Sequence, residues 1–226
     1  MTQPLAVLAF SGGMDSTTLA AHYTGTGYRL LLLSFDYGQR HVRELQAAGE
    51  VAAHFDAEHH TVDLLGVGKL MPGSALTDPN VAVPDGHYAE ESMRATVVPN
   101  RNAIMANIAV GIASAHDADL VALGIHAGDH AVYPDCRPAF LDALRASVTT
   151  ALDGFPNPCI EAPFIAWSKT QIAAYAHEIG APLEISWSCY KGGRAHCGTC
   201  GTCVERREAF TDAGLADPTA YEGAMA

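Results

Sequence analysis

The sequence predicts an α/β protein built on a doubly wound, mainly parallel sheet, with a small cysteine knuckle near its C-terminus. Short, almost wholly apolar runs at residues 5–10, 28–35 and 119–124 lack the alternation of a solvated strand, which marks strands covered on both faces. Segments of helical composition alternate with these runs, the order that produces parallel pairing. Four cysteines crowd into positions 189 to 203, a density that belongs to a metal knuckle.

The first strand, residues 5–10, ends at Ser11-Gly12-Gly13, a tight turn, and residues 16–23 then read as a helix stopped by Gly25 and Gly27. A second buried strand over 28–35 completes a βαβ unit. Residues 42–55 are rich in Ala, Glu, Leu and Gln and predict a helix, with a strand at 59–64 after it. Residues 66–91 hold three prolines and four glycines, so a long irregular excursion is predicted there, of the length that often forms a lid. Ile104, Ile108 and Ile112 form a helical stripe within 102–115, and a fourth strand follows at 119–124. Helices are predicted at 138–152, opened by Pro138, and at 168–179, opened by Ser168 and stopped by Gly180. The expected organisation is an α/β unit over 1–186 and a metal-binding segment with a C-terminal helix over 187–226, packed on it.

Composition narrows the function. The chain of 226 residues has a formal charge of −12, a field that repels polyanions, so a small substrate is favoured over nucleic acid. No apolar run approaches the ~20 residues of a membrane helix, and the N-terminus carries no export signal, which predicts a cytoplasmic protein away from membranes. In a reducing compartment, cysteines serve as ligands or core rather than disulfides.

In a doubly wound sheet, ligands bind beyond the carboxyl ends of the strands, and the polar strings lie there. Ser11-Gly12-Gly13-Met14-Asp15-Ser16 joins strand to helix, where glycines admit a phosphate to the backbone and helix N–H groups meet it. The absence of a GK[ST] ending disfavours γ-phosphate transfer; a glycine turn serving backbone geometry alone is the plainer alternative. The candidate nucleotide-binding set is Phe10, Ser11, Gly12, Gly13, Met14, Asp15, Ser16, Thr17, Thr18, Leu19 and Ala20, with Asp36 and Gln39 at the end of the second strand. Arg101, opening a helix, is placed to clamp a phosphate or carboxylate, or to be a surface Arg. Residues 124–137 hold His126, Asp129, His130, Asp135 and Arg137, the expected substrate end: Asp135 could accept hydrogen bonds from a substrate and Arg137 pair with a carboxylate, or these could be turn residues. Asp15, Ser16, Arg101, Asp135 and Arg137 form the candidate catalytic set. Lys169 and Lys191 could face pyrophosphate or solvent.

Cys189, Cys197, Cys200 and Cys203 follow C-x7-C-x2-C-x2-C, and four thiolates make the closed tetrahedral set of one structural Zn²⁺, with an iron–sulfur cluster and chance clustering as rivals. Cys136 and Cys159 are read as non-ligands.

The Ser-Gly-Gly-x-Asp-Ser string resembles the signature of the ATP pyrophosphatases. With Asp36-Tyr37-Gly38-Gln39-Arg40-His41, Val98-Pro99-Asn100-Arg101-Asn102 and Tyr133-Pro134-Asp135-Cys136-Arg137, the chain resembles the 7-cyano-7-deazaguanine synthase family from Leu5 to about Phe210. The resemblance implies an adenine nucleotide alpha hydrolase-like, Rossmann-like fold and the ATP-dependent conversion of 7-carboxy-7-deazaguanine and ammonia to the nitrile, with Mg²⁺ beside ATP. A homo-oligomer, preferably a dimer, is expected. The family commonly reads Asp-Tyr-Ser-Gly where this chain has Asp129-His130-Ala131-Val132, so no substrate contact is carried over to 130–132. A tRNA-thiolating ATP pyrophosphatase and a non-catalytic nucleotide-binding module are the other readings.

Overall fold

The computed structural model describes residues 3–87 and 90–223. Strands β1 (Leu5–Ala9), β2 (Arg29–Asp36), β3 (Glu58–Asp63), β4 (Leu120–Leu123) and β5 (Cys159–Glu161) form one sheet in the order β3-β2-β1-β4-β5, every pair parallel. The helices are α1 (Met14–Gly25), α2 (Arg43–His54), the single turns α3 (Leu65–Gly68) and α4 (Glu90–Met93), then α5 (Arg101–Ala115), α6 (Pro138–Ala151), α7 (Lys169–Glu178) and α8 (Gly201–Asp212).

Alternation along β1 explains the double winding. Ala6 and Leu8 point to a cluster built with Leu19 of α1, Val51 of α2, Ile172 of α7 and Phe210 of α8. Leu5 and Val7 point to the opposite face, onto Ala106 and Val110 of α5 and Leu141 and Leu144 of α6. Both faces are dry, which is why these strands read as unbroken apolar runs. A buried Leu8→Ala change would cost roughly 2–5 kcal/mol. The chain leaves β1 toward β2 on one side and returns through β4 on the other, so the strand order reverses at the β1/β4 boundary, where a crevice opens at the carboxyl ends.

Two features differ from the expectation. A fifth strand, β5, follows Pro156 and Pro158, and its three residues are too few to show a period. The irregular excursion is fastened rather than loose. Ala75 and Val83 are buried against Cys189, Cys200 and Cys203, Asp85 bridges to Cys200, and the Gly86 N–H donates to the Thr199 carbonyl at 2.9 Å. The Arg40 guanidinium donates to the Asp78 and Val81 carbonyls at 2.8 and 3.0 Å. Among the described residues, no helix is long and apolar enough to cross a membrane.

Candidate active site

Gly12 lies at φ +73°, and a Cβ there would stand 2.5 Å from the Ala48 nitrogen, so the turn can press against α2 only because this residue is glycine. Its carbonyl accepts from the Trp187 N–H at 2.8 Å, which fastens the turn to the cysteine segment. Gly13, the N-cap of α1, has no side chain to cap the helix, leaving the opening N–H groups to an incoming anion. Ser11 Oγ and Ser16 Oγ lie 3.2 Å apart, and Ser16 Oγ donates to the Gly13 carbonyl.

Asp15 and Lys169, the first residue of α7, form the tightest ion pair of the site at 2.6 Å. Glu205 Oε2 of α8 lies 3.6 Å from the same ammonium. His126, which is 1% exposed, accepts the Gly128 N–H on Nδ1, which assigns the proton to Nε2; that atom is 3.4 Å from Asp129 Oδ2 and 3.4 Å from Lys169 Nζ. Burial alone would raise the Asp15 carboxyl, but Lys169 and His126 outweigh it and hold it below its ordinary value. Burial would lower Lys169, yet Asp15 and Glu205 keep it charged well above the usual lysine range. Burial pushes the Glu205 carboxyl up, with Lys169 opposing. Asp15 Oδ1 is buried with no partner among the described residues.

The far end of the crevice is aromatic. Arg101 Nη1 donates to Tyr37 Oη at 3.1 Å, with its guanidinium carbon 5.8 Å from that ring's centre. Tyr133 and Tyr190 line the same end; Tyr133 Oη meets Thr96 Oγ1 at 2.7 Å. Arg101 has no carboxylate partner among the described residues. His41 Nε2 lies 3.2 Å from Glu44 Oε2 and its ring stands 5.2 Å from that of Tyr190. One cavity of about 230 Å³ joins the two ends, running from Ser11, Asp15 and Lys169 to Arg101, Tyr37 and Tyr190.

The sulfur atoms of Cys189, Cys197, Cys200 and Cys203 all lie within 4.8 Å of one another and could hold a metal ion. Backbone N–H groups of Thr199 and Cys200 point at Cys197 Sγ at 3.4 and 3.3 Å, the partners a thiolate ligand takes. Cys136 and Cys159 stand apart from the cluster.

The sequence profile described as "Queuosine biosynthesis protein QueC" matches residues 5–214. The chain belongs to the QueC family. A relative named 7-cyano-7-deazaguanine synthase from Rhizobium johnstonii is 53% identical over 96% of this chain and 91% of its own length. One named 7-cyano-7-deazaguanine synthase 1, from Mesorhizobium japonicum, is 55% identical over 97% of this chain and 94% of its own. A solved 4-thiouridine synthetase–RNA complex with bound ATP is 19% identical with a TM-score of 0.52, covering 92% of this chain and 53% of that one, a likeness of fold alone.

The strings that resemble the QueC family fall at this crevice in different ways. Phe10, Ser11, Gly13, Met14, Asp15, Ser16 and Arg101 line the cavity. Gly12 lies beneath the turn, and Thr17, Thr18, Leu19 and Ala20 are buried in α1, with Thr18 Oγ1 donating to the Met14 carbonyl. Asp36 Oδ1 accepts from the Gly38 N–H, while Gln39 accepts from the Tyr37 N–H and donates to Phe35 O and Glu44 Oε1. Those bonds shape the loop after β2. Asp135 accepts the Asn102 N–H at 2.9 Å, capping α5 beside Arg101, and Arg137 is exposed and donates to the His130 carbonyl. Their string still reaches the cavity through Tyr133 and Cys136. Sequence reasoning did not pick out Trp187, Ser188, Tyr190, Thr202 and Glu205, which line the wall from the cysteine segment. No local period marks them; the only sign was their nearness to the cysteines.

Proposed function

We propose that this QueC-family protein converts 7-carboxy-7-deazaguanine and ammonia to 7-cyano-7-deazaguanine, spending ATP to AMP and pyrophosphate. One observation carries the reading: a single cavity offers a phosphate-binding turn with Lys169 at one end and an Arg101 without a carboxylate partner, set among tyrosines, at the other. The turn and Lys169 would take the nucleotide's phosphates, since N–H groups and an ammonium neutralise charge that grows on the leaving pyrophosphate. Arg101 would hold the substrate carboxylate in a charge-assisted bond, with the flat ring lying against Tyr37, Tyr133 or Tyr190.

The chemistry needs two activations. A carboxylate oxygen attacks the α-phosphorus of ATP and pyrophosphate leaves. Ammonia adds to the acyl carbon, loses a proton, and AMP departs with that oxygen, giving the amide. The amide oxygen then attacks the α-phosphorus of a second ATP and pyrophosphate leaves; loss of the two remaining N–H protons and of a second AMP leaves the nitrile. What the side chains contribute is position and charge. Two carboxylates, Asp15 and Glu205, face Lys169, and a third, Asp129, lies 3.4 Å from His126 beside them, a concentration of negative charge that suits the Mg²⁺ accompanying ATP. The Cys189, Cys197, Cys200 and Cys203 set suits one Zn²⁺, which would hold the wall carrying Tyr190 and Glu205 in shape.

Thiolation of tRNA fits less well. Cys136, the cysteine that reaches the cavity, has its thiol pushed far up by burial, so it is kept protonated and poorly suited to carry sulfur. The direct experiment incubates the protein with 7-carboxy-7-deazaguanine, ATP, Mg²⁺ and ammonium. Mass spectrometry is expected to find amide and then nitrile, with AMP and no ADP. Absence of nucleotide turnover with this acid would overturn the reading.

A further inference from the structure

We propose that Glu205 is a positioning residue for the nucleotide step: from the cysteine-knuckle helix it holds the Lys169 ammonium over the phosphate turn. The inference rests on the reading of Lys169 as a phosphate-facing cation. Lys169 leaves the capped start of α7, where Ser168 and Gln171 form a reciprocal capping box, so its backbone is firmly placed. Its side chain has more freedom and is fixed by two anions on separate elements, Asp15 of α1 at 2.6 Å and Glu205 of α8 at 3.6 Å. Asp15 lies on the turn itself, and a cation arriving with ATP competes with Lys169 for its carboxylate. Once Asp15 turns to that cation, Glu205 still pairs with Lys169 at 3.6 Å, a longer distance that lets the ammonium lean toward phosphate.

The surroundings are shaped for Glu205 to be there. Its side chain is 13% exposed, and a Cβ at Gly128 would approach Glu205 Oε1 to 3.3 Å and His126 Cε1 to 2.8 Å, so glycine at 128 keeps both side chains in place. Glu205 stands two positions after Cys203, on a helix whose N-cap is Cys200. The knuckle therefore sets the height of this carboxylate above the turn, linking the metal segment to nucleotide handling rather than to folding alone.

A double-mutant cycle tests it, with ATP and acid kinetics measured separately and metal content and circular dichroism as controls. Glu205→Gln, which keeps the shape and removes the charge, is expected to lower kcat/KM for ATP about tenfold, the usual weight of one charge-assisted contact, while KM for the acid stays unchanged. Lys169→Met is expected to fall further, and adding Glu205→Gln to it to change nothing more. If Lys169→Met impairs ATP kinetics but Glu205→Gln adds its full effect in that background, Glu205 acts by another route and the inference fails while the reading of Lys169 stands. If Lys169→Met has wild-type ATP kinetics, both fail. A Glu205→Gln effect confined to KM for the acid would also overturn the inference.

Discussion

Asp15 is the hub of the phosphate-turn end of the site, since one carboxylate of the turn meets both Lys169 and His126. Asp15→Asn should retain the fold and lose roughly 10²–10³ in kcat, the scale set by removing one preorganised charge. Its pH signature has a definite sign. The folded-state carboxyl is held below the ordinary 3.8, so its contribution to stability is present above that value and disappears as pH falls through the folded pKa. Melting curves of wild type and Asp15→Asn should thus differ near neutrality and converge in acid; a gap that widened in acid would reverse the assigned direction. At the aromatic end, Arg101→Met should raise KM for the acid by about ten- to a hundredfold, the weight of a charged hydrogen bond, and leave KM for ATP nearly unchanged. Steady-state kinetics with each substrate varied in turn separate the two.

Among the elements, the β1-turn-α1 unit was legible because a dry strand, two glycines and a helix follow one another within a few residues, and the cysteine cluster because ligand spacing is local. What was not legible depends on distant chain segments. Asp135 looks like a substrate-facing acid from its string, but its carboxylate accepts the Asn102 N–H from more than thirty positions away. Glu205 is an unremarked helix residue until α8 is laid beside α7. The excursion reads as a free loop because what buries Ala75 and Val83 is the knuckle, far along the chain. Two expectations follow at this scale. Gly12→Ala combines a left-handed backbone with a Cβ 2.5 Å from the Ala48 nitrogen, and should cost at least about 1–3 kcal/mol, each kcal/mol lowering Tm by roughly 2–4 °C in a chain of this size. Calorimetry checks it, and an unchanged Tm would contradict the close packing of turn on α2. If the knuckle holds the proposed Zn²⁺, chelating it should release amide protection both in 187–204 and in 74–86, because Asp85 and Gly86 are bonded to Cys200 and Thr199. Hydrogen exchange confined to 187–204 would show that the excursion is held by other contacts.

At the scale of the whole molecule, the sheet reverses order between β1 and β4, and the cavity there is lined by the loops leaving β1, β2 and β4 together with Arg101 of α5, Lys169 of α7 and the cysteine segment. In a chain of formal charge −12, the crevice nonetheless gathers two cations, Lys169 and Arg101. The central claim is that each carboxylate oxygen leaves on its own adenylate, and the fate of those oxygens tests it most directly. With 7-carboxy-7-deazaguanine labelled by oxygen-18 in both carboxylate positions, mass spectrometry of the products should find two AMP per nitrile, each carrying one labelled oxygen, and unlabelled pyrophosphate. Label appearing in water or in inorganic phosphate, or ADP in place of AMP, would contradict the account.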